Sequence, residues 1–189
     1  IERLLVTRDM VVWPTLGYGF YPAFTDYPGS ISLSHDTFVA LVAEILEGIR
    51  GAGAQRIAIL NAGISTIEPI MEALPRVSAL PPLRLINIYA GARFTEVEAA
   101  VTEQPWGGHA DESETSMMLA IAPQEVDMDR ATAAMTRVEQ GFFNRTNPDG
   151  PNYSPNGVNG DPTRASVAKG KQLLRAMLMD VLEAVDAVG

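Results

Sequence analysis

The sequence predicts an α/β domain with a mostly parallel central sheet flanked by helices. Three observations lead there. Two short apolar runs, Arg56 to Leu60 and Leu83 to Tyr89, read as strands. Helical stripes lie before, between and after them, and such alternation implies right-handed βαβ units. The length of 189 residues, 47% apolar and 20% charged, suits a single domain, 1–189, with a real core.

In chain order, Ile1 to Val6 reads as the end of an amphipathic helix, so natural upstream residues are expected. Met10 to Trp13 is an apolar run ended by Pro14, a candidate buried strand. Thr15 to Ser30 is a long loop rich in glycine, proline and aromatics. Loops after strands carry sites in α/β folds, so Tyr18, Tyr21 and Phe24 are candidates for lining a pocket around a flat or cyclic ligand. Ser34 or Asp36 caps a helix with the stripe Phe38, Leu41, Val42, Ile45, Leu46 and Ile49, ended by Gly51 and Gly53. His35, at its start, reads as a surface or capping residue.

Arg56 to Leu60 lacks alternation, as expected of a strand covered on both faces. Asn61, Gly63 and Ser65 lie in the turn that follows. There a Ser/Thr cap opens a helix from Ile67 to Leu74, and backbone N–H groups would face a ligand. Leu83 to Tyr89 alternates, and Thr95 to Gln104 reads as an exposed helix.

The stretch Gly107 to Ser116 concentrates chemistry. Behind the Gly107-Gly108 pair it carries His109, three carboxylates and three hydroxyls, and then an apolar run. In a helix from about Asp111, Glu114 shares a face with Met117, Met118 and Ile121, which puts its carboxylate on the side expected to be buried. Buried charge is expensive unless paired or metal-bound. His109 and Glu112, three apart, are expected to converge. Pro123 ends this helix, and Val126 to Asp129 starts a short one. Gly141 to Pro162 is loop. Asp161 is a good N-cap and Pro162 a good first helical residue, leading into a final helix striped by Leu174, Met177, Leu178, Val181, Leu182 and Val185.

A formal net charge of −9 argues against nucleic acid and against an anionic membrane surface. There is no cysteine, so thiolate catalysis and Cys-bound zinc are excluded. No apolar run approaches the roughly 20 residues that span a bilayer. No GxGxxG or GxxxxGK[ST] supports nucleotide binding. A cytoplasmic location is expected, with export left open.

Four stretches, in order, carry a family resemblance. Tyr18-Gly19 through Tyr27-Pro28-Gly29-Ser30 is similar to a YG…FPGT segment. Ile57 to Asn61 is similar to the strand before an NGHGGN turn. His109 to Ser116 resembles HAGExETS, and Gly157 to Pro162 resembles GvxGdP. Together they resemble the creatininase family, the creatinine amidohydrolase-like enzymes. The resemblance implies a three-layer sandwich, opening of a small cyclic amide by metal-activated water, and assembly as dimers to hexamers. It implies a divalent cofactor, zinc first, with manganese or iron as alternatives.

Residue by residue, the resemblance gives Glu112 as a metal ligand and His109 as the proton-transfer histidine. Glu114, Thr115 and Ser116 orient ligands and cap the helix, with Glu114 joining His109 in catalysis. Gly107 and Gly108, with Asn61, Gly63 and Ser65, would border the substrate. Two departures follow. The family's Glu-x-His motif, with an Asp further on, is expected upstream of Ile1. Gly63 stands where NGHGGN supplies a histidine ligand. One metal, recruitment of His109 or Asp111 as ligand, or loss of hydrolysis would each accommodate that change. A catalytically impaired small-ligand-binding or assembly protein, and a lactone or ester hydrolase, are the alternative functions.

Overall fold

The computed structural model describes residues 10–135 and 142–188. The predicted helix end at Ile1 to Val6 lies outside the described residues, as does Gly141. The α-helices are α1 (His35–Gly51), α2 (Ile67–Ala73), α3 (Ala92–Val101), α4 (Glu112–Ile121) and α5 (Val167–Asp186). The strands are β1 (Ile57–Asn61) and β2 (Leu83–Asn87). They pair in parallel with Ile57 opposite Leu83 and Asn61 opposite Asn87. Parallel neighbours need a crossover, and α2 supplies it.

Of the predicted α1 stripe, Phe38, Val42 and Leu46 are buried and Ile49 packs on them, while Leu41 and Ile45 are only half-buried and Val39, outside the stripe, is fully buried. Ser34 caps the helix by accepting from the Thr37 N–H at 3.3 Å. Phe38, Val39, Val42 and Leu46 are buried with Ile57, Ile70, Ala73 and Val77. Ile59, Leu83 and Leu85 pack onto the same cluster, so the odd-numbered face of both strands meets α1 and α2. On the opposite face Ile86 is buried where α5 contacts β2, but Leu60 is 43% exposed and Ala58 is exposed. This corrects the expectation that β1 is covered on both faces. Met10 to Pro14 is corrected as well. It forms no strand and has no ladder partner among the described residues, and Val11 is 78% exposed.

A second cluster, Phe94, Met117 and Leu173, joins α3, α4 and α5. Helix α3 starts three residues earlier than its pattern suggests because Asp180 of α5 caps it. The Asp180 carboxylate accepts from the Phe94 N–H at 2.8 Å and the Arg93 N–H at 3.3 Å, over a Gly91 that has no capping side chain of its own. The helix ends at Val101, which frees Glu103 and Gln104 for other partners.

Helices α4 and α5 cross very closely. A Cβ on Gly170 would lie 1.9 Å from the Ser116 carbonyl oxygen. That crossing sets the buried face of α4 as Glu112, Ser113, Ser116 and Met117, and leaves Met118 and Ile121 exposed. The carboxylate on the buried side is therefore Glu112, not Glu114 as its spacing suggests. Asp161 and Pro162 start a separate 3-10 turn, Pro162–Arg164, and α5 begins afresh with Ser166 as its cap. Among the described residues, no helix is long and apolar enough to cross a membrane.

Gly170→Ala should lose about 3 kcal/mol in urea unfolding, because backbone must move to admit the methyl group. Gly48→Ala, with nothing within 4 Å of its new Cβ, should be neutral or slightly stabilising in the same measurement.

Candidate functional site

The site begins with a chain reversal. Ala110 has φ +47°, the left-handed region that non-glycine residues adopt at a cost of about 1–3 kcal/mol. Two carboxylates hold the bend. Asp111 caps α4 by accepting from the Glu114 N–H at 2.9 Å, and Glu114 reaches back to accept from the Ala110 N–H at 2.7 Å. This is the reciprocal logic of a capping box, with the second bond displaced by one residue.

His109 precedes the bend. Its backbone pairs with Asn159 in an antiparallel bridge, with Asn159 N–H donating to the His109 carbonyl at 2.8 Å. The imidazole lies on Phe24 with ring centroids 4.0 Å apart, and Phe24 stacks on Phe143 at 5.1 Å. His109 Nδ1 is 3.6 Å from Glu114 Oε2. That is an ion-pair distance rather than a hydrogen bond. Burial among the aromatics lowers the imidazole pKa, while the charges of Glu114 and Asp111 pull it upward and do not prevail. His109 therefore pairs with Glu114, and the expected convergence with Glu112 does not occur.

Glu112 is fully buried and faces the other way. Its Oε2 accepts the N–H groups of Glu103 and Gln104, each at 2.8 Å, and its Oε1 pairs with the Lys169 ammonium. The Gln104 amide ties the neighbourhood together. Its Oε1 accepts from the N–H groups of Asp161 (2.9 Å) and Glu112 (3.3 Å), and its Nε2 donates to Asp111 Oδ2 at 2.9 Å. Gly107 is a steric requirement here, since its Cβ would lie 2.1 Å from Asp111 Oδ2 and 2.2 Å from Gln104 Nε2. Gly108 donates its N–H to the Asn159 carbonyl at 3.0 Å.

A second corner forms at the carboxyl ends of the strands. Asn61 Nδ2 donates to the Gly63 carbonyl (2.7 Å) and to Asn87 Oδ1 (2.9 Å), while its Oδ1 accepts from Thr66 Oγ1 at 2.7 Å. Thr66 thus serves the turn and, contrary to expectation, makes no side-chain cap for α2. Ser65 Oγ donates to the Phe20 carbonyl at 2.8 Å. The Tyr21 ring covers Gly63 so closely that a Cβ there would be 2.8 Å from it. The 3-10 turn Pro22–Phe24 then runs from this corner to His109. Tyr18 is 60% exposed.

Of the residues singled out in the sequence, His109, Glu114 and Phe24 come together in one place. Tyr21, Asn61, Gly63 and Ser65 form the second corner, and Gly107 and Gly108 shape the backbone before His109. Gln104, Phe143, Asn159 and Lys169 escaped sequence reasoning. So did Tyr89, just after β2, whose hydroxyl pKa is raised by burial and by the charges of Glu114 and Asp111.

The divalent ion implied by the resemblance can be tested against these atoms. Both oxygens of Glu112 and of Asp111 are taken by the donors just named, and Glu112 already holds an ammonium. No group of three or more His, Asp or Glu among the described residues is arranged to hold a metal. As placed, Glu112 and Asp111 do not fit the ion.

Comparison with known proteins completes the picture. A mycofactocin precursor peptide peptidase from Mycolicibacterium smegmatis (strain ATCC 700084 / mc(2)155) is 28% identical over 174 residues, which are 90% of this chain and 64% of that protein. The chain thus spans just under two thirds of that relative. A crystal structure of creatinine amidohydrolase (creatininase) matches with a TM-score of 0.78 at 20% identity, over 91% of this chain and 73% of the other. A structure described as creatininase Mn matches at 0.75 and 21%, with coverages of 91% and 73%. At such identities these two structures show a shared α/β fold. The family model for creatininase, creatinine amidohydrolase, matches residues 1–185, and the chain belongs to the creatininase family.

Proposed function

We propose that this protein hydrolyses a small amide, with His109 carrying the proton and Glu114 supporting it. The observation that carries the reading is the His109–Glu114 pair, held between an aromatic wall and a strained turn. The names of both kinds of relative denote cleavage of an amide bond, and the family membership supports the class of reaction. A cleft of about 330 Å³ borders Glu114 but not the His109 ring, and is lined also by Ala110, Thr115, Met118, Glu125, Val126 and Asp127. That volume suits a small ligand.

The lowered pKa keeps the His109 imidazole neutral near pH 7, so it can take a proton from water as the oxygen bonds to the amide carbon. Glu114 then faces an imidazolium and stabilises it. The same proton passes to the nitrogen as the C–N bond breaks. Zinc, manganese or iron is the ion implied by the family resemblance, and Glu112 and Asp111 as placed do not fit it.

A second reading is a small-ligand-binding protein on the same fold. The Tyr21 ring over Gly63 and the Lys169 ammonium on Glu112 favour it, because both take space or charge that a metal-dependent hydrolase would use.

His109→Ala and Glu114→Gln should each lower turnover of small cyclic amides or short peptides at least about 100-fold, with the circular dichroism spectrum of the native chain retained. Full turnover in either variant overturns the assignment. Binding of an amide by calorimetry without any turnover by the native chain selects the second reading.

The two histidines should also titrate on opposite sides of about 6.5, the ordinary value. His35 is raised, chiefly by its hydrogen bond to Asp36 and with help from Glu72; His109 is lowered by burial. Because the unfolded chain takes the His109 proton first, this group's contribution to stability falls as pH drops from about 6.5 towards the folded value. NMR titration of the imidazole carbons checks both midpoints. Glu114→Gln should move His109 lower still.

A further inference from the structure

We infer that Lys169 is the resident counter-cation of the acidic start of α4, standing where the family resemblance would put a divalent ion at Glu112. The Lys169 ammonium has three N–H groups, and three acceptors surround it: Glu112 Oε1, Glu103 Oε1 at 2.7 Å and the Arg164 carbonyl at 3.0 Å. Glu112 is well occupied in turn, with two backbone N–H groups on its other oxygen. A second cation would have to displace the ammonium or sit against it, and like charges at that distance in a buried site repel strongly. Lys169 is itself well covered, its side chain 16% exposed.

The other position that the resemblance gives to a ligand is closed independently. Any side chain at position 63 would meet Tyr21 Cε1 at 2.8 Å and Thr66 Oγ1 at 2.9 Å. Recruitment of Asp111 is closed by its cap to Glu114 and its bond from Gln104. Recruitment of His109 is opposed by its packing on Phe24 and its Nδ1 facing Glu114. The chain has an ammonium, an aromatic ring and backbone donors in the places a metal centre would need.

This inference does not depend on the hydrolase reading, since melting and metal content are measured without turnover. The 189-residue chain is melted as purified, after EDTA, and with added Zn²⁺ or Mn²⁺, and its metal content is measured by mass spectrometry. The expected result is one melting temperature under all conditions. Lys169→Met should melt roughly 10 °C lower, because it strands a buried carboxylate. Lys169→Arg, which keeps the charge, should recover most of that loss. Lys169→Met combined with Glu112→Gln should melt above Lys169→Met alone. The inference is overturned if EDTA lowers the native melting temperature, Zn²⁺ or Mn²⁺ restores it, and Glu112→Gln abolishes the effect. It is equally overturned if Lys169→Met melts with the native chain.

Discussion

A carboxylate that no water reaches must be given its partners by the fold, and Glu112 draws them from two segments. Glu103 and Gln104 supply N–H donors from the strip after α3, Lys169 supplies charge from α5, and α4 carries the acid itself. An unpaired charge in that position would cost several kcal/mol, so these segments must arrive together. Gln104 extends the same arrangement to Asp161 and Asp111, and Asp111 fixes the first turn of the helix that carries Glu114. The geometry of His109 and Glu114 is therefore set from behind, by groups that never face the cleft.

The front of the site is organised by the loop between Gly19 and Ser30. Phe20 accepts from Ser65, Tyr21 covers Gly63, Phe24 lies on His109, and the Ala23 carbonyl accepts from the Phe143 N–H at 2.9 Å. The loop is a strap between the strand ends and the acidic helix. Its aromatic content has a physical purpose: flat rings cover two corners and desolvate an imidazole without adding charge.

Much of this was legible in the sequence, in proportion to how local the cause is. Most of the α1 stripe, the two strands, the start of α4 near Asp111 and the Asp161 cap depend on residues a few positions apart, and their patterns are plain. The buried face of α4 was not legible, because Met117, Met118, Leu119 and Ile121 make the helix apolar on more than one side. Only the contact of Gly170 with Ser116 decides between those faces, and that contact spans more than fifty residues. The same holds for Lys169, which a sequence shows only as a helical lysine. Gly63 was legible as a missing side chain, but the ring of Tyr21 filling that room was not.

Tyr27 Oη donates to the Ser154 carbonyl at 2.6 Å across 127 residues of chain. His109 bridges to Asn159, and Phe24 stacks on Phe143. Each closes a large loop, and such closures are entropically late, after helices and nearby pairings have formed. The aromatic surroundings of the imidazole thus rest on contacts that tie distant stretches of the chain together, and each carries the entropy cost of a large loop.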